Sequence, residues 1–477
     1  MIHLLLYIYR FPDWLVCIHN GQDKPYSDIF GKAEVRFLFQ RCKMSGTNSK
    51  MSVWELMLLT AVNMIGAGII LLPASLAQVG GISILSWIIT TFCSTCLAYA
   101  FAKCGMYSRK AGGISGYAEY AFGTAGNFLC CYVYTVSILV SNVAIALSAV
   151  GYGATCLGIS LGAVPTCLYT IGVIWLTTVP NFRGADITGR IGGITILGVL
   201  VPVFIIATAG WFFFSPALFV SNWNVQNLPF SQGILQSVVM TLWAFLGLES
   251  ACVNADAVEN PERNVPIAVL GGTLGSAVIY ILSTNVIFGL LPASQVAESN
   301  APFGLAFAYM FGPLAGKVVM ALMCIACLGS LLGWQFTGGN MYRAAALKGF
   351  YPSVFASVNR YEAPVAGMVI AGLIQTGLSL MTISPSLNEQ FEVLANLAVI
   401  TNIVPYFFCM AAMELIMIKA GHGSREELRL PMIASFVGSL YTLYACYAAG
   451  ADAMMAAALV FFFGLTLYGF LAPSFEK

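Results

Sequence analysis

Long apolar stretches with very few charged positions alternate along this chain with short polar segments. A membrane-spanning helix needs about 20 apolar residues, so each charge-free stretch of that length predicts one pass. The charge-free blocks 120–182 and 191–248 exceed one helix and must each fold back, with turn signals at GISLGAVPT and FFSPALFVSNWN. The pattern predicts twelve helices, at residues 52–75, 82–103, 126–156, 163–181, 190–213, 233–257, 266–291, 315–341, 363–383, 389–414, 430–449 and 452–471.

The composition indicates an all-α integral membrane protein. Of the 477 residues, 59% are hydrophobic and 9% are charged, whereas about a quarter of the residues in soluble domains carry a charge. The formal net charge is +1, so the chain offers no basic surface for nucleic acid and no acidic tail for a cationic partner. Any important electrostatic interaction is therefore expected to be local.

Lysines and arginines in the loops predict the orientation, because cytoplasmic loops carry an excess of these residues. With the N-terminus inside, thirteen bases fall in cytoplasmic segments and one, Lys317, falls outside. This distribution predicts that both termini are cytoplasmic, and it supports an even number of helices. The thirteen are Lys103, Arg109, Lys110, Arg183, Arg190, Arg263, Arg343, Lys348, Arg360, Lys419, Arg425, Arg429 and Lys477.

The first 43 residues do not follow this pattern. The apolar patch in MIHLLLYIYRFPDWLVCIHN is interrupted by charged residues and a proline, and it lacks a small-residue cleavage site. We expect residues 1–43 to be a disordered or spuriously included extension, with the natural protein beginning at Met44 or Met51. The alternative is an interfacial anchor, because the segment contains Trp and Tyr.

The cysteines and histidines do not form a recognisable metal or catalytic motif. CSTC at 93–96 and CIAC at 324–327 have metal-like spacing, but His3, His19 and His422 all lie outside the predicted spans. We interpret the fourteen cysteines as reduced thiols that mostly fill packing positions. No HExxH or GxSxG element occurs, so an intramembrane enzyme is the disfavoured class and no cofactor is expected.

Two predicted spans contain glycines near their middle. Gly66-Ala67-Gly68 interrupts the first span and Gly247 interrupts the sixth, and each glycine costs a helix about 1 kcal/mol relative to alanine. Unwound segments at the bilayer midplane bind substrates in transporters built from inverted repeats. Close helix packing is the alternative explanation for each glycine taken alone, but the matched positions favour a pair of helix breaks.

Glu249 is a carboxylate inside the apolar run WAFLGLESAC, and no other charge occurs from residue 191 to it. A charge at the centre of a membrane helix costs about 3 kcal/mol, so such residues usually face a cavity. The nearby lysines and arginines are all in predicted loops, so we expect the partner to be a cation from solution or a proton. The alternative is a carboxyl group kept neutral by helix hydrogen bonds.

Aromatic and polar residues near this depth complete a candidate site for an organic cation. Trp243 precedes Glu249 in the sixth span, Trp334 lies in the eighth, and Tyr134 and Asn142 lie in the third. Tryptophan presents the best aromatic face for an ammonium group. Each aromatic residue taken singly is more often a packing or interface residue.

Four segments carry a resemblance to a known family. NMIGAGIILLPASLA, FAKCGMYSRKAGGISGYAEYAFG, MTLWAFLGLESACVNADAVENPERNVPIAVLGGTLG and SLLGWQFT resemble the basic amino acid and polyamine antiporters of the amino acid-polyamine-organocation superfamily, from about Met44 to the C-terminus. The resemblance implies a leucine-transporter-type five-plus-five inverted repeat, often as a homodimer. It divides a transporter domain at 44–477 into repeats near 52–213 and 233–414, followed by two helices within 430–471.

The resemblance also implies roles for individual residues. Gly66-Ala67-Gly68 matches the Gly-Ser-Gly motif that holds the α-amino and carboxylate groups, although Ala67 lacks the serine hydroxyl. Trp243 matches the aromatic gate, Glu249 the glutamate that responds to cations or protons, and Trp334 the aromatic that stacks on the substrate. The family's polar wall on the third helix matches Tyr134 and Asn142.

Three further residues are candidates for gating or for an inner vestibule near the cytoplasmic loops: Cys104, Glu119 and Cys252. Helix capping by Glu119 and packing by Cys104 are the alternatives.

The family's activity implies exchange of a diamine for its parent basic amino acid, with putrescine and ornithine as the first expected pair and protons as a possible second coupling. Lysine with cadaverine, or arginine with agmatine, remain alternatives because a pocket discriminates one methylene by only about 1–3 kcal/mol. A passive channel would require a continuous polar stripe, and a nutrient sensor a signalling segment; the sequence favours neither. The expected partners are small cations and membrane lipid.

Overall fold

The regular structure of this chain is helical, as the apolar pattern predicts. The computed structural model describes residues 52–108, 110, 113–184, 191, 194–249, 252, 260–381, 383–384 and 386–475, and no strand occurs among them. Ser52–Lys477 form one compact unit. The extension predicted at 1–43 lies outside the described residues, and the division into two repeats stays a prediction.

The α-helices of the described residues are numbered here in chain order. They are α1 Val53–Gly68, α2 Leu72–Ala77, α3 Ile84–Tyr107, α4 Ile114–Leu157, α5 Ala163–Thr178, α6 Leu197–Ala209, α7 Pro216–Ser221, α8 Phe230–Trp243, α9 Pro261–Leu290, α10 Ala293–Ala297, α11 Pro302–Phe311, α12 Pro313–Leu347, α13 Val365–Met381, α14 Leu387–Lys419, α15 Arg425–Ala448 and α16 Gly450–Phe475. Short 3-10 segments occur at Gly81–Ser83, Val179–Arg183, Gly210–Phe213 and Ser353–Ala356.

Eight helical stretches in the described residues are long and apolar enough to cross a membrane. They are Gly81–Tyr107, Ile114–Leu157, Ala163–Arg183, Glu262–Leu290, Pro313–Leu347, Leu387–Lys419, Arg425–Ala448 and Gly450–Pro473. Shorter apolar helices lie at Leu56–Gly66, Leu197–Phe213, Pro302–Phe311 and Val365–Met381. The all-helical membrane class is therefore confirmed, while the count of twelve spans stays a prediction.

Several helices extend beyond the predicted apolar stretches. The third span was predicted from residue 126, but α4 begins at Ile114 and continues past Gly123, whose φ of 61° and ψ of −156° are not helical. The ends of α12 and α14, at Leu347 and Lys419, also pass the predicted limits of 341 and 414. These boundaries were wrong because they were placed where an apolar, charge-free stretch ends. A helix can continue beyond that point into polar surroundings.

The first and sixth predicted spans are both interrupted. Helix α1 ends at Gly68 and α2 begins at Leu72, so residues 69–71 separate them. Helix α8 ends at Trp243, and residues 244–249 form turns that include Gly247 with φ of +100°. Because a left-handed φ costs an L-residue about 1–2 kcal/mol, glycine suits this position.

The interior is built on two of the long helices. Helix α14 packs more extensively on α4 than on any other element, and α12 lies along α4 as well. The interrupted segments contact other helices, with α1 packed on α9 and α8 packed on α3 and α14, and α3 itself also packs on α9. The breaks therefore lie against a scaffold of continuous helices.

Candidate functional site

Glu249 is buried, and its carboxylate is held by three hydrogen-bond donors. Tyr134 Oη donates to Oε1 at 2.8 Å, while Tyr406 Oη at 2.5 Å and the Gly247 backbone N–H at 3.1 Å donate to Oε2. No Lys, Arg or His among the described residues forms an ion pair with it. An ionised carboxylate accepts about four hydrogen bonds, so Oε1 keeps room for one more donor.

The two interrupted segments meet each other at their glycines. A Cβ atom placed on Gly68 would lie 3.1 Å from Ala244 Cα, and one placed on Gly247 would lie 3.1 Å from Asn63 O. Glycine therefore permits each broken segment to approach the backbone of the other. This contact explains why the two interruptions occur together, and it brings Glu249 next to the first break.

Two buried tyrosines satisfy carbonyl groups in or beside the breaks. Tyr152 Oη donates to Ile70 O at 2.9 Å, and Tyr280 Oη donates to Ala244 O at 3.0 Å. Irregular backbone at membrane depth is tolerated where protein groups satisfy it. These hydroxyls thus stabilise the non-helical conformation on which the position of Glu249 depends.

A small cavity of about 50 Å³ lies between the two breaks and the side of α4. Five of the predicted site residues line it: Gly68, Tyr134, Trp243, Glu249 and Trp334. We call this space the central cavity. It joins one carboxylate, two indole rings and a phenol, which together suit an ammonium group.

Two asparagines add polar groups to the central cavity, and the sequence analysis missed both. Asn63 comes from α1 and Asn402 from α14. Asn402 is buried and its Oδ1 has no hydrogen-bond partner. An unpaired buried acceptor is costly, so this oxygen is a candidate contact for a donor that enters the cavity.

A much larger cavity of about 600 Å³ adjoins the central cavity on one side. Asn63, Tyr134 and Trp334 line both spaces, while the far wall of the larger one includes Ala344 and Lys348, which are exposed. We call it the wide cavity. Its volume lies within the range of about 300–1,000 Å³ that is usual for small-molecule sites.

The other side of the central cavity is closed by aromatic packing. Trp243 lies edge-on to Phe391, with ring centroids 5.9 Å apart and an interplanar angle of 88°. The two side chains are only 4% and 1% exposed. A solute in the central cavity therefore meets a packed barrier in this direction and an open space in the other.

Several predicted site residues do not line the central cavity. Asn142 is buried with both side-chain polar atoms unpaired, but Ser137 and Ser141 provide the polar surface of α4 instead. A Cβ atom at Gly66 would meet Ser330 Oγ at 3.3 Å, so Gly66 packs against α12. The side chain of Ala67 lies outside the described part of the chain, and its predicted role is unchanged.

The predicted loop positions of Cys104 and Glu119 are wrong. Cys104 is fully buried near the end of α3, and a Cβ atom on the next residue, Gly105, would lie 3.1 Å from Cys252 Cβ. Glu119 lies within α4, where its carboxylate accepts from Lys110 Nζ at 2.5 Å and from Asn127 Nδ2 at 2.6 Å. None of the three candidates lines the wide cavity, although Asn127 does.

The described residues contain no group of three or more His, Cys, Asp or Glu side chains that could hold a metal ion. Their cysteines, including those of CSTC and CIAC, are free. Tyr406 is the site residue whose omission from the sequence analysis matters most, because it donates the shortest bond to Glu249. Its sequence signal is weak, because Thr401 and Asn402 in the same span also carry polar groups.

Comparison with known proteins identifies the group to which these features belong. A family model described as an amino acid permease matches residues 51–470. The putrescine transporter PotE of Escherichia coli is 56% identical over 429 residues, which cover 90% of this chain and 98% of that protein. PotE of Haemophilus influenzae is 54% identical over 433 residues, covering 91% and 99%.

A third relative is named for a different substrate pair. The cadaverine/lysine antiporter of Escherichia coli is 35% identical over 353 residues, which cover 73% of this chain and 79% of that protein. The resemblance that the sequence motifs indicated is confirmed at the level of the family. These relatives are transporters, in agreement with a cavity that contains a carboxylate and two indole rings.

Proposed function

This chain belongs to the amino acid permease family, and from that premise we propose that it exchanges putrescine for ornithine across the cytoplasmic membrane. The observation that carries the proposal is the Glu249 carboxylate, which lies in a cavity with Trp243 and Trp334 and has no cationic partner among the described residues. The 56% identity to a putrescine transporter supports the choice of diamine.

The chemistry of both substrates suits the central cavity. Putrescine and ornithine share an ammonium group on an aliphatic chain, for which Glu249 supplies charge and Trp243 and Trp334 supply aromatic faces. The unpaired Oδ1 of Asn402 is a second acceptor. Only ornithine has a carboxylate. In our proposal the backbone around Gly66, Ala67 and Gly68, beside the first break, binds this group.

The mechanism that we propose is alternating access without ATP. The interrupted helices, as the first members of two inverted five-helix repeats, rock against the scaffold formed by helices such as α4 and α14. Either substrate lowers the barrier between the inward and outward states, and slow return of the empty carrier makes exchange obligatory. We take the orientation that the loop charges predict, in which both termini are cytoplasmic. The wide cavity then opens to the cytoplasm.

A second transport mode follows from the same carboxylate. A proton on Glu249 neutralises the site in place of the substrate ammonium, so the unloaded carrier can return with the proton bound, which couples putrescine uptake to proton movement in the opposite direction. Transport by this mode requires no amino acid on the opposite side. Uptake into liposomes without internal ornithine, driven by a proton gradient, is the corresponding measurement.

The decisive experiment is a matrix of exchange assays in proteoliposomes. Vesicles are preloaded with ornithine, lysine or arginine, and uptake of labelled putrescine, cadaverine or agmatine is followed. We expect the strongest stimulation for internal ornithine with external putrescine. Dominant stimulation by lysine with cadaverine would instead assign to this chain the activity for which the 35% identical relative is named, and equal uptake by empty vesicles would exclude exchange.

A further inference from the structure

A third cavity lies at the opposite end of the helix bundle from the wide cavity. Its volume is about 330 Å³, and its lining includes Gln78 after α2, Glu298 after α10, and Asn388 and Glu389 in the first turn of α14. We call it the end cavity. The loop charges predict that this end faces away from the cytoplasm, because Lys317 is the only base that they assign to it.

Asn388 indicates that the end cavity is built to receive a donor. The residue is 7% exposed, its Nδ2 donates to Ala297 O at 2.8 Å, and its Oδ1 has no hydrogen-bond partner. Leaving a buried acceptor unpaired is unfavourable. A bound group with N–H donors would satisfy this oxygen at the wall of the cavity.

The charges of the end cavity select a cation. Its described lining contains two carboxylates, Glu298 and Glu389, and no Lys or Arg. Glu389 keeps its first-turn position because Ser386 caps the helix and Ser384 Oγ donates to Oε2 at 2.8 Å. The described residues contain no cluster of three metal-ligating side chains, so an organic ammonium fits better than a metal ion.

A hydrogen bond joins the lining of the end cavity to the closed side of the central cavity. Gln78 Nε2 donates to Glu392 Oε1 at 2.9 Å, which links the segment after α2 to α14. Glu392 directly follows Phe391, the ring that packs on Trp243. A ligand in the end cavity therefore lies beside the residues that must separate before the central cavity can open on this side.

We propose that the end cavity is an entry site that binds an alkylammonium group of the diamine before the Trp243 and Phe391 barrier opens. The inference rests on the proposed function for the identity of the diamine, but the binding itself does not depend on transport. Glu298 and Glu389 supply charge, and Asn388 Oδ1 accepts an N–H. Two such carboxylates on the surface raise the local concentration of cations and hence the rate of capture.

The test is equilibrium binding of labelled putrescine to the purified full chain in nanodiscs. Glu249→Gln removes the charge of the central cavity, and we expect a second class of sites to remain. In that background, the pair Glu298→Gln and Glu389→Gln should weaken the remaining binding by about threefold to tenfold, with Asn388→Leu changing it in the same direction. Glutamine at 389 keeps an acceptor for Ser384 Oγ.

The matched control removes two carboxylates that do not line the end cavity. Asp452→Asn together with Glu426→Gln changes the net charge equally and should leave putrescine binding unchanged. An equal loss in this control would overturn the proposal in favour of a general charge effect. Stoichiometric Ca²⁺ binding that depends on Glu298 and Glu389 and displaces putrescine would also overturn it, as would unchanged binding in the paired variant.

Transport assays separate this proposal from the proposed function. The paired Glu298→Gln and Glu389→Gln variant should raise the KM for putrescine on the end-cavity side by about threefold to tenfold and leave kcat unchanged. Exchange with an unaltered KM would refute the entry site and leave the exchange function intact. Carboxylate-dependent putrescine binding in a wild-type chain that transports no diamine would refute the function and leave the site.

Discussion

The two sides of Glu249 differ sharply in packing. Towards one end of the bundle, Tyr134 and Trp334 lead into a cavity of about 600 Å³ that reaches the exposed Lys348. Towards the other end, Trp243 lies edge-on to Phe391 at 5.9 Å and both rings are buried. The carboxylate can therefore be reached from one side only in this conformation, as alternating access requires.

The difference also shows which contacts must change. The open side is lined by α4 and α12, whereas the closed side depends on a residue of the interrupted sixth span resting on α14. Few hydrogen bonds would break if Trp243 moved, because its Nε1 has no partner. Aromatic packing is worth about 0.5–1.5 kcal/mol beyond burial, which is small enough for substrate binding to offset.

The largest effect is expected when the charge of Glu249, which lies between the two sides, is removed. Glu249→Gln keeps the shape of the side chain, but removing one partner of a buried charge pair costs about 2–5 kcal/mol, so the apparent affinity for putrescine should fall about 30-fold or more. Exchange assays in proteoliposomes measure this. Glu414→Gln, a change of the same kind outside the described cavity linings, should have no effect. If the Glu249→Gln variant bound putrescine with wild-type affinity, Glu249 would not be part of the substrate site.

The next effect concerns the junction between the two sides. Gly247→Ala places a side chain at φ of +100° and 3.1 Å from Asn63 O, and we expect exchange per folded molecule to fall about tenfold, since an extra methyl group at such a close contact costs about 1–3 kcal/mol and displaces the two segments from each other. Gly123→Ala is the control, because Gly123 also has a positive φ but has no atom within 4 Å of the added Cβ. Both variants should melt earlier; equal exchange rates would argue against a role for the junction.

The smallest effect is expected at Tyr406, which orients Glu249 without lining the central cavity. Tyr406→Phe removes the donor at 2.5 Å from Oε2 but changes no residue lining the central cavity, so exchange should fall about fivefold, which corresponds to the net value of about 0.5–1.5 kcal/mol for one hydrogen bond. Tyr441→Phe loses a comparable buried bond, to Thr90 Oγ1 at 2.7 Å, and should exchange normally. If the two variants behave alike, Tyr406 contributes only stability.

The sequence singled out residues that line the central cavity more readily than the residues that support them. Glu249 stood out because it ends a long charge-free block, and the glycines of the two breaks stood out because helices disfavour them. Tyr152, Tyr280 and Tyr406 were missed, since a tyrosine in an apolar span resembles a packing residue until its hydroxyl is seen to bond a distant group. Their partners lie in the two breaks, far away along the chain, and no local pattern encodes that.

The errors have similar physical causes. Asn142 was assigned to the cavity wall, yet Ser141 occupies it, because adjacent residues on a helix point about 100° apart and the sequence does not fix the rotation of a long apolar helix. Helix ends were misplaced where α4 and α12 continue beyond the apolar stretch. The apolar stretch indicates where the hydrocarbon core of the membrane ends, and a helix does not have to end at the same residue.

The position of bound putrescine tests the central claim most directly. A structure of the full chain determined with putrescine should place one ammonium nitrogen about 2.7–3.2 Å from the Glu249 carboxylate, between Trp243 and Trp334. A central cavity without diamine, with Glu249 still bonded only to Tyr134, Tyr406 and the Gly247 N–H while putrescine occupies another site, would contradict the account.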